Sequence, residues 1–146
     1  MGLEMSKARS RARRMAMQGL YEWQVAQNSP KDVYNTYLAE HDLSKIDEEY
    51  FKVLILGVPE KHKELDAAIN AHLSRSLEEI DPIELSILRI ACYEFISRLD
   101  VPYKVVINES IELAKTFGAE AGHKFVNGIL DKLAVDLRSS EIKKIR

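Results

Sequence analysis

The residues best equipped for chemistry fall into two groups, both suited to holding a phosphate chain or an unpaired base. Lys7, Arg9, Arg11, Arg13 and Arg14 crowd the start of the chain against a single acid, Glu4. Clustered cations contact phosphates through local charge, whatever the net charge of the protein. A basic end is more often a solvated tail. His123, Lys124 and Phe125 form the second group. Phe125 falls about 100° around a helix from Val126, at the edge of an apolar stripe. A phenyl ring there either roofs the core or offers a face for an unpaired base, with Lys124 solvated or meeting a phosphate.

Three further polar residues stand among apolar ones. Arg89 lies in an otherwise apolar helix, where it either pairs internally or faces a partner. Glu84 sits at a helix start and is accounted for by capping. His72 belongs to the Leu65–Leu73 segment and has no role that its pattern assigns.

Enzymatic constellations are missing from the sequence. The six glycines are scattered and none belongs to a nucleotide-binding spacing. His41, His62, His72 and His123 lie too far apart for a local metal motif. The single cysteine, Cys92, sits in the apolar stretch from Ile87 to Ile96 with no histidine near it in sequence, which suits an inert buried thiol. The expectation is a protein with no catalytic residues, no metal and no cofactor.

At 146 residues, 46% apolar and 30% charged, the chain has the makings of one globular domain with a sizeable core. Its net charge of −2 is unevenly spread. Arg138, Lys143, Lys144 and Arg146 oppose only Glu141 at the far end, so an acidic body lies between two basic ends. That pattern does not suit a general nucleic-acid coat, yet it permits local RNA binding. The longest uncharged apolar run, Val53 to Pro59, is too short to span a bilayer. The basic N-terminus has no apolar core of the kind that follows in a secretory signal. These features predict a cytoplasmic location and no membrane association.

The elements that must position these groups all read as helices. Ala16, Leu20 and Trp23 recur at helical spacing, and the same face continued backwards reaches Arg13 and Arg9. Asn28-Ser29-Pro30 ends this helix, and a shorter one follows with Val33, Tyr34, Tyr37 and Leu38. Asp47 opens a third, with Tyr50, Phe51, Leu54 and Ile55 on its apolar face. Gly57 and Pro59 predict either a kink near residues 57–59 or two helices broken there, the second carrying Leu65, Ala68, Ile69 and Leu73. Asp81-Pro82-Ile83-Glu84 has the form of a capping box, with Asp at the N-cap and Pro at the first helical position. Behind it Leu85, Leu88, Cys92 and Phe95 form a stripe. Another helix runs from near Val101-Pro102 to Gly118, and a last one opens near Gly122 with Val126, Ile129, Leu130, Leu133 and Leu137. The pattern predicts an all-α fold, a compact bundle of six or seven helices. Polar turns near 74–81 place a division into halves at roughly 1–78 and 79–146.

These residues also carry a family likeness. The segment DVPYKVVINESIELAKTFG from Asp100, followed by HKFVNGILDKLA from His123, resembles the C-terminal signature of the NusB family of bacterial transcription antitermination factors. The start is similar as well, with Ala12-Arg13, Gln18, Leu20-Tyr21 and Trp23-Gln24 behind an arginine-rich stretch. So is the middle, with Leu73-Ser74-Arg75, Glu84 and Ile87-Leu88-Arg89-Ile90-Ala91. The resemblance spans nearly the whole chain in one order. It implies a single domain of two three-helix-like subdomains and no cofactor. It also implies binding of single-stranded boxA RNA together with the small-subunit ribosomal protein NusE, in a complex that joins RNA polymerase to suppress termination on ribosomal RNA operons.

By the same resemblance Arg9, Arg11, Arg13 and Arg14 belong to a basic RNA-binding stretch, and His72, Lys124 and Phe125 to the RNA-facing region. Tyr21, Glu78, Glu79, Glu84 and Arg89 lie where the family presents its ribosomal-protein surface. The chain departs from the family pattern at several points. Ser10 interrupts the arginine run and Arg14 adds a charge where an acid is common. His72 replaces a frequent tyrosine, Ala121-Gly122 replaces a common Asp-Ser pair, and Pro59 is unusual. A free homodimer is compatible with the resemblance. Two other readings stay open: a helical adaptor without its own RNA specificity, and an RNA-binding domain of the kind attached to RNA methyltransferases, acting in trans.

Overall fold

Prolines and short polar caps divide the chain into helices in the order that the periodicity predicts. The computed structural model describes residues 2–145 and the side chains of residues 5–143, so the charges of Glu4, Lys144 and Arg146 lie outside it. Within that span there are eight α-helices, one 3-10 turn (Leu77–Glu79) and no strand. The helices are α1 (Gly2–Ala26), α2 (Pro30–Glu40), α3 (Glu48–Glu60), α4 (His62–Asn70), α5 (Pro82–Ser97), α6 (Tyr103–Phe117), α7 (Gly122–Leu137) and α8 (Ser139–Ile145). The separation of α3 from α4 accounts for the seventh helix, and the short α8 is the eighth. Contacts group the helices into two units that divide between Lys61 and His62.

The first unit is built from α1, α2 and α3, each packed on the other two. α1 closes with Gln27 in the left-handed region at φ 59°, its N–H bonded to the Trp23 carbonyl at 3.1 Å. Ser29 then caps α2 by accepting from the Asp32 N–H, with Pro30 at the first helical position. Asp47 caps α3 through the Tyr50 N–H, while its own N–H donates to Ala8 of α1. The core joins Ala12, Ala16, Met17 and Leu20 to Val33 and Tyr37 and to Tyr50, Phe51, Leu54, Ile55 and Val58. Gly19, a poor helix former in mid-helix, is explained by this packing. A Cβ there would stand 2.6 Å from Ile55 Cδ1 and 3.2 Å from Val33 Cγ1.

Pro59 does not break α3 at its own position. The helix runs through Gly57 and Pro59, ends at Glu60, and Lys61 forms the turn before α4. Because the helix stops one residue after the proline, only a last-turn hydrogen bond is lost. The Lys61 N–H closes the turn on the Gly57 carbonyl at 3.1 Å.

In the second unit α5 is the central helix, packed by α4, α6 and α7. Asp81 caps it through the N–H groups of Ile83 and Glu84, at 2.9 and 3.2 Å. Every residue from Glu84 to Phe95 is buried, a far wider surface than the predicted stripe of Leu85, Leu88, Cys92 and Phe95. A helix apolar almost all round belongs inside a core, and α5 is one. α4 packs on α5 and α7, so its contacts lie with the helices that follow it, whereas a division near residue 78 would leave it with those before.

The end of the chain differs from the sequence reading. Arg138, grouped there with a basic end, is buried and 4% exposed. Its guanidinium donates to the carbonyls of Glu94, Phe95, Arg98 and Val101 at 2.8–3.1 Å and to Glu141 at 2.5 Å. These carbonyls line the place where α5 ends and its following turn begins; those of Glu94 and Arg98 also accept the N–H groups of Arg98 and Val101, at 3.0 and 2.9 Å. Glu141 in α8 also accepts from the Tyr103 N–H at 2.8 Å, so α8 is pinned to the start of α6.

Candidate nucleic-acid interface

The arginines of α1 divide by helical phase. Arg13 follows the apolar face and is 3% exposed, whereas Arg11 and Arg14 point to the surface. Arg9 is intermediate, with its guanidinium 4.3 Å from the centroid of the Tyr50 ring and 3.5 Å from the Asp47 carboxylate. Arg13 approaches the same ring at 5.4 Å. Tyr50 therefore carries two cations on its π-system, a favourable electrostatic arrangement. Arg11 donates to the Lys45 carbonyl at 3.3 Å, which leaves most of its fork facing water. Of the four arginines proposed from sequence, Arg11 and Arg14 have the exposure that phosphate contact needs. Tyr21 lies on the same helix and is exposed.

In the second unit Phe125 is half-buried near the start of α7, and Lys124 beside it is exposed. The Arg75 guanidinium lies 5.1 Å from the Phe125 ring centroid. Arg75 has no place among the site residues read from sequence. Fifty positions separate it from Phe125, and its only signal was its presence in the Leu73-Ser74-Arg75 motif. His72 stands beyond the end of α4, where Nε2 meets Asp136 Oδ2 of α7 at 2.6 Å. That contact fixes the imidazole on α7 and orients its remaining face.

The acidic candidates separate too. Glu78 and Glu79 are exposed on the 3-10 turn, while Glu84 is buried at 4% exposure. The Glu84 carboxylate does not reach back to the Asp81 N–H as a capping box would; it crosses to the Ala119 N–H at 3.1 Å. Arg89 is spent on an internal pair with Asp66. A hollow of roughly 400 Å³ lies among Arg75, Glu79, Asp81, Glu84, Gly122 and Phe125. Its rim joins an aromatic face and a cation to several carboxylates. Such a surface can hold a base against the ring and repel phosphate from the acidic side.

Cys92 is buried, and burial, then the charges of Glu64 and Asp66, push its thiol up to about 12. Such a thiol is a poor nucleophile. Among the described residues no three His, Cys, Asp or Glu side chains gather as metal ligands, and no helix is long and apolar enough to cross a membrane.

This arrangement of helices is shared with a solved structure. The NusB of T. maritima superposes with a TM-score of 0.74 at 30% identity, over 86% of this chain and 89% of that one. The fold is thus the all-helical NusB fold. Residues 10–135 match the model of the NusB family, and the chain belongs to that family. Among its relatives, the transcription antitermination protein NusB of Idiomarina loihiensis is 54% identical over 88% of this chain and 92% of its own length. The protein of that name from Shewanella halifaxensis is 55% identical, covering 86% and 93%. The family is one of transcription factors and not of enzymes.

Proposed function

We propose that this protein is a cytoplasmic, RNA-binding transcription antitermination factor. It binds single-stranded boxA RNA together with the ribosomal protein NusE, within an antitermination complex on RNA polymerase, and suppresses premature termination, notably on ribosomal RNA operons. The observation that carries the reading is Phe125: a half-buried ring with the Arg75 cation near it and the exposed Lys124 beside it. A flat ring flanked by cations holds an unstacked base and its phosphate, which single-stranded RNA exposes and a duplex hides. In the other unit Arg11 and Arg14 supply phosphate contacts, with Arg9 at their edge and Arg13 beneath them. His72 presents a second flat face. The exposed Tyr21, Glu78 and Glu79 suit a basic ribosomal protein.

Fluorescence anisotropy of a labelled boxA-like RNA against a scrambled strand, with and without NusE, tests this. The expected result is a preference for boxA that tightens when NusE is present, and that Phe125→Ala weakens about tenfold or more, as for loss of one stacked base. Equal binding of the two RNAs in both conditions refutes it.

A further inference from the structure

We propose that Glu84 is a positioning residue for the RNA contact at Phe125. Its carboxylate holds the turn between α6 and α7 and so sets the angle at which α7 presents Lys124 and Phe125. The inference rests on the RNA reading of Phe125 and goes beyond it.

The capping of α5 leaves this carboxylate available. Asp81 alone receives the Ile83 and Glu84 N–H groups, so the Glu84 side chain plays no part in its own helix start. It turns inward and accepts the Ala119 N–H at 3.1 Å. Glycines stand on both sides of it. A Cβ on Gly118 would lie 3.3 Å from Glu84 Oε2, and a Cβ on Gly122 would overlap the carboxylate itself. Gly122 is the first residue of α7 and is buried, and Phe125 follows it by less than one turn. Just before Gly122, Ala121 is held in the left-handed region at φ 63°, a conformation that alanine avoids unless its surroundings impose it. One buried carboxylate thus occupies the room that the absent Gly122 side chain leaves, and ties the turn that launches α7.

A residue 4% exposed has little surface to offer a partner, which separates this role from a direct contact with NusE. Ala119 is exposed, so water can satisfy its N–H when the carboxylate is removed. Removal should therefore relax the turn without unfolding the unit.

The test is a double-mutant cycle in the full chain with Glu84→Ala, Gly122→Ala and the pair, read by anisotropy with boxA-like RNA. Melting temperature, the NMR resonances of the Phe125 ring and NusE affinity without RNA are measured alongside. Each single change should weaken boxA binding about five- to tenfold and shift the Phe125 resonances. In the pair the second change should add little, because the added methyl no longer meets a carboxylate. Glu84→Gln keeps a carbonyl acceptor for Ala119 and should stay within about twofold of the parent. Additive losses, or unmoved Phe125 resonances with intact RNA affinity, overturn the proposal. So does a loss confined to NusE binding, which makes Glu84 a partner contact. If the parent and Phe125→Ala bind boxA and scrambled RNA alike, the RNA reading fails and this proposal with it. A sound parent response with an uncoupled cycle removes the proposal alone.

Discussion

Arg89 and Asp66 meet through two parallel hydrogen bonds, Nε to Oδ1 at 2.8 Å and Nη2 to Oδ2 at 2.9 Å, and this fork ties α5 to α4. Both side chains are mostly shielded, at 10% and 18% exposure. A shielded charge that loses its partner is left poorly solvated, so Arg89→Ala should lower the unfolding free energy by about 2–3 kcal/mol in urea titrations. Arg89→Lys should recover less than half of that, because an ammonium cannot reproduce the paired geometry. Replacing both residues with apolar ones of similar size should approach the parent. Unchanged stability with weakened NusE binding would return Arg89 to the partner surface.

Arg138 should be the most sensitive cation in the chain. Its guanidinium satisfies four carbonyls and Glu141, and no other side chain type offers five donors in one plane. Arg138→Ala leaves buried carbonyls unpaired and should lose about 3–5 kcal/mol of stability. Amide exchange in α8 and at the start of α6 should speed up more than exchange in α2 or α3, because Glu141 loses its anchor while the first unit keeps its bonds. Uniform acceleration across both units would contradict this local role.

These two arginines show where sequence reading succeeds and where it stops. The start of α5 was legible because a cap is local: Asp81-Pro82 carries acceptor and fixed φ within two positions, whereas Ser29-Pro30, which caps α2 in the same way, reads from the sequence as the end of α1. The apolar stripe of α7 was legible for the same reason, since periodicity needs only one helix. Contacts between distant positions leave no such trace. Arg138 reads as one more charge in a basic end, and only the carbonyls more than thirty positions away reveal it as buried. Arg75 meets Phe125, and Glu84 meets Ala119, across similar gaps. The phase of the α1 arginines was partly visible, since Arg13 and Arg9 continue the apolar face. That this face buries Arg13 emerges only with Tyr50 in place.

Alkaline stability should report on Cys92. In the denatured chain the thiol titrates near 9, whereas burial and the neighbouring Glu64 and Asp66 charges hold the native thiol protonated up to about 12. Across that window the unfolded state binds fewer protons than the native one, so stability is complete below pH 9 and falls as pH rises. Tyr37 contributes in the same direction above pH 10, because burial and its hydrogen bond to Glu22 raise its phenol. Urea titrations at increasing pH should show this decline, and Cys92→Ala should flatten it. A slope that the variant leaves unchanged would assign the decline to other groups. In native protein at neutral pH the thiol should react with a disulfide reagent only as fast as the unit opens.

The α1 arginines provide the sharpest separation between surface chemistry and structure. Arg11 and Arg14 are exposed, so each change to Ala should reduce the slope of log affinity against log salt by about 0.7, the value for one phosphate contact on a single strand. Melting temperature should hardly move, as expected for exposed positions. Arg13→Ala should do the reverse. It removes a buried guanidinium from beside the Tyr50 ring, so it should lower the melting temperature and leave the salt slope of the folded protein nearly intact. Arg9 lies between these cases, since its cation is shared with Asp47 and Tyr50, and should show part of each effect. The triple change of Arg9, Arg11 and Arg13 to Ala should then flatten the slope and destabilise the unit together. If Arg13→Ala alone flattens the slope at unchanged melting temperature, its side chain must leave the Tyr50 ring to meet RNA. If Arg11→Ala and Arg14→Ala leave the slope intact, the phosphates are held elsewhere, and the basic start of α1 serves solvation only.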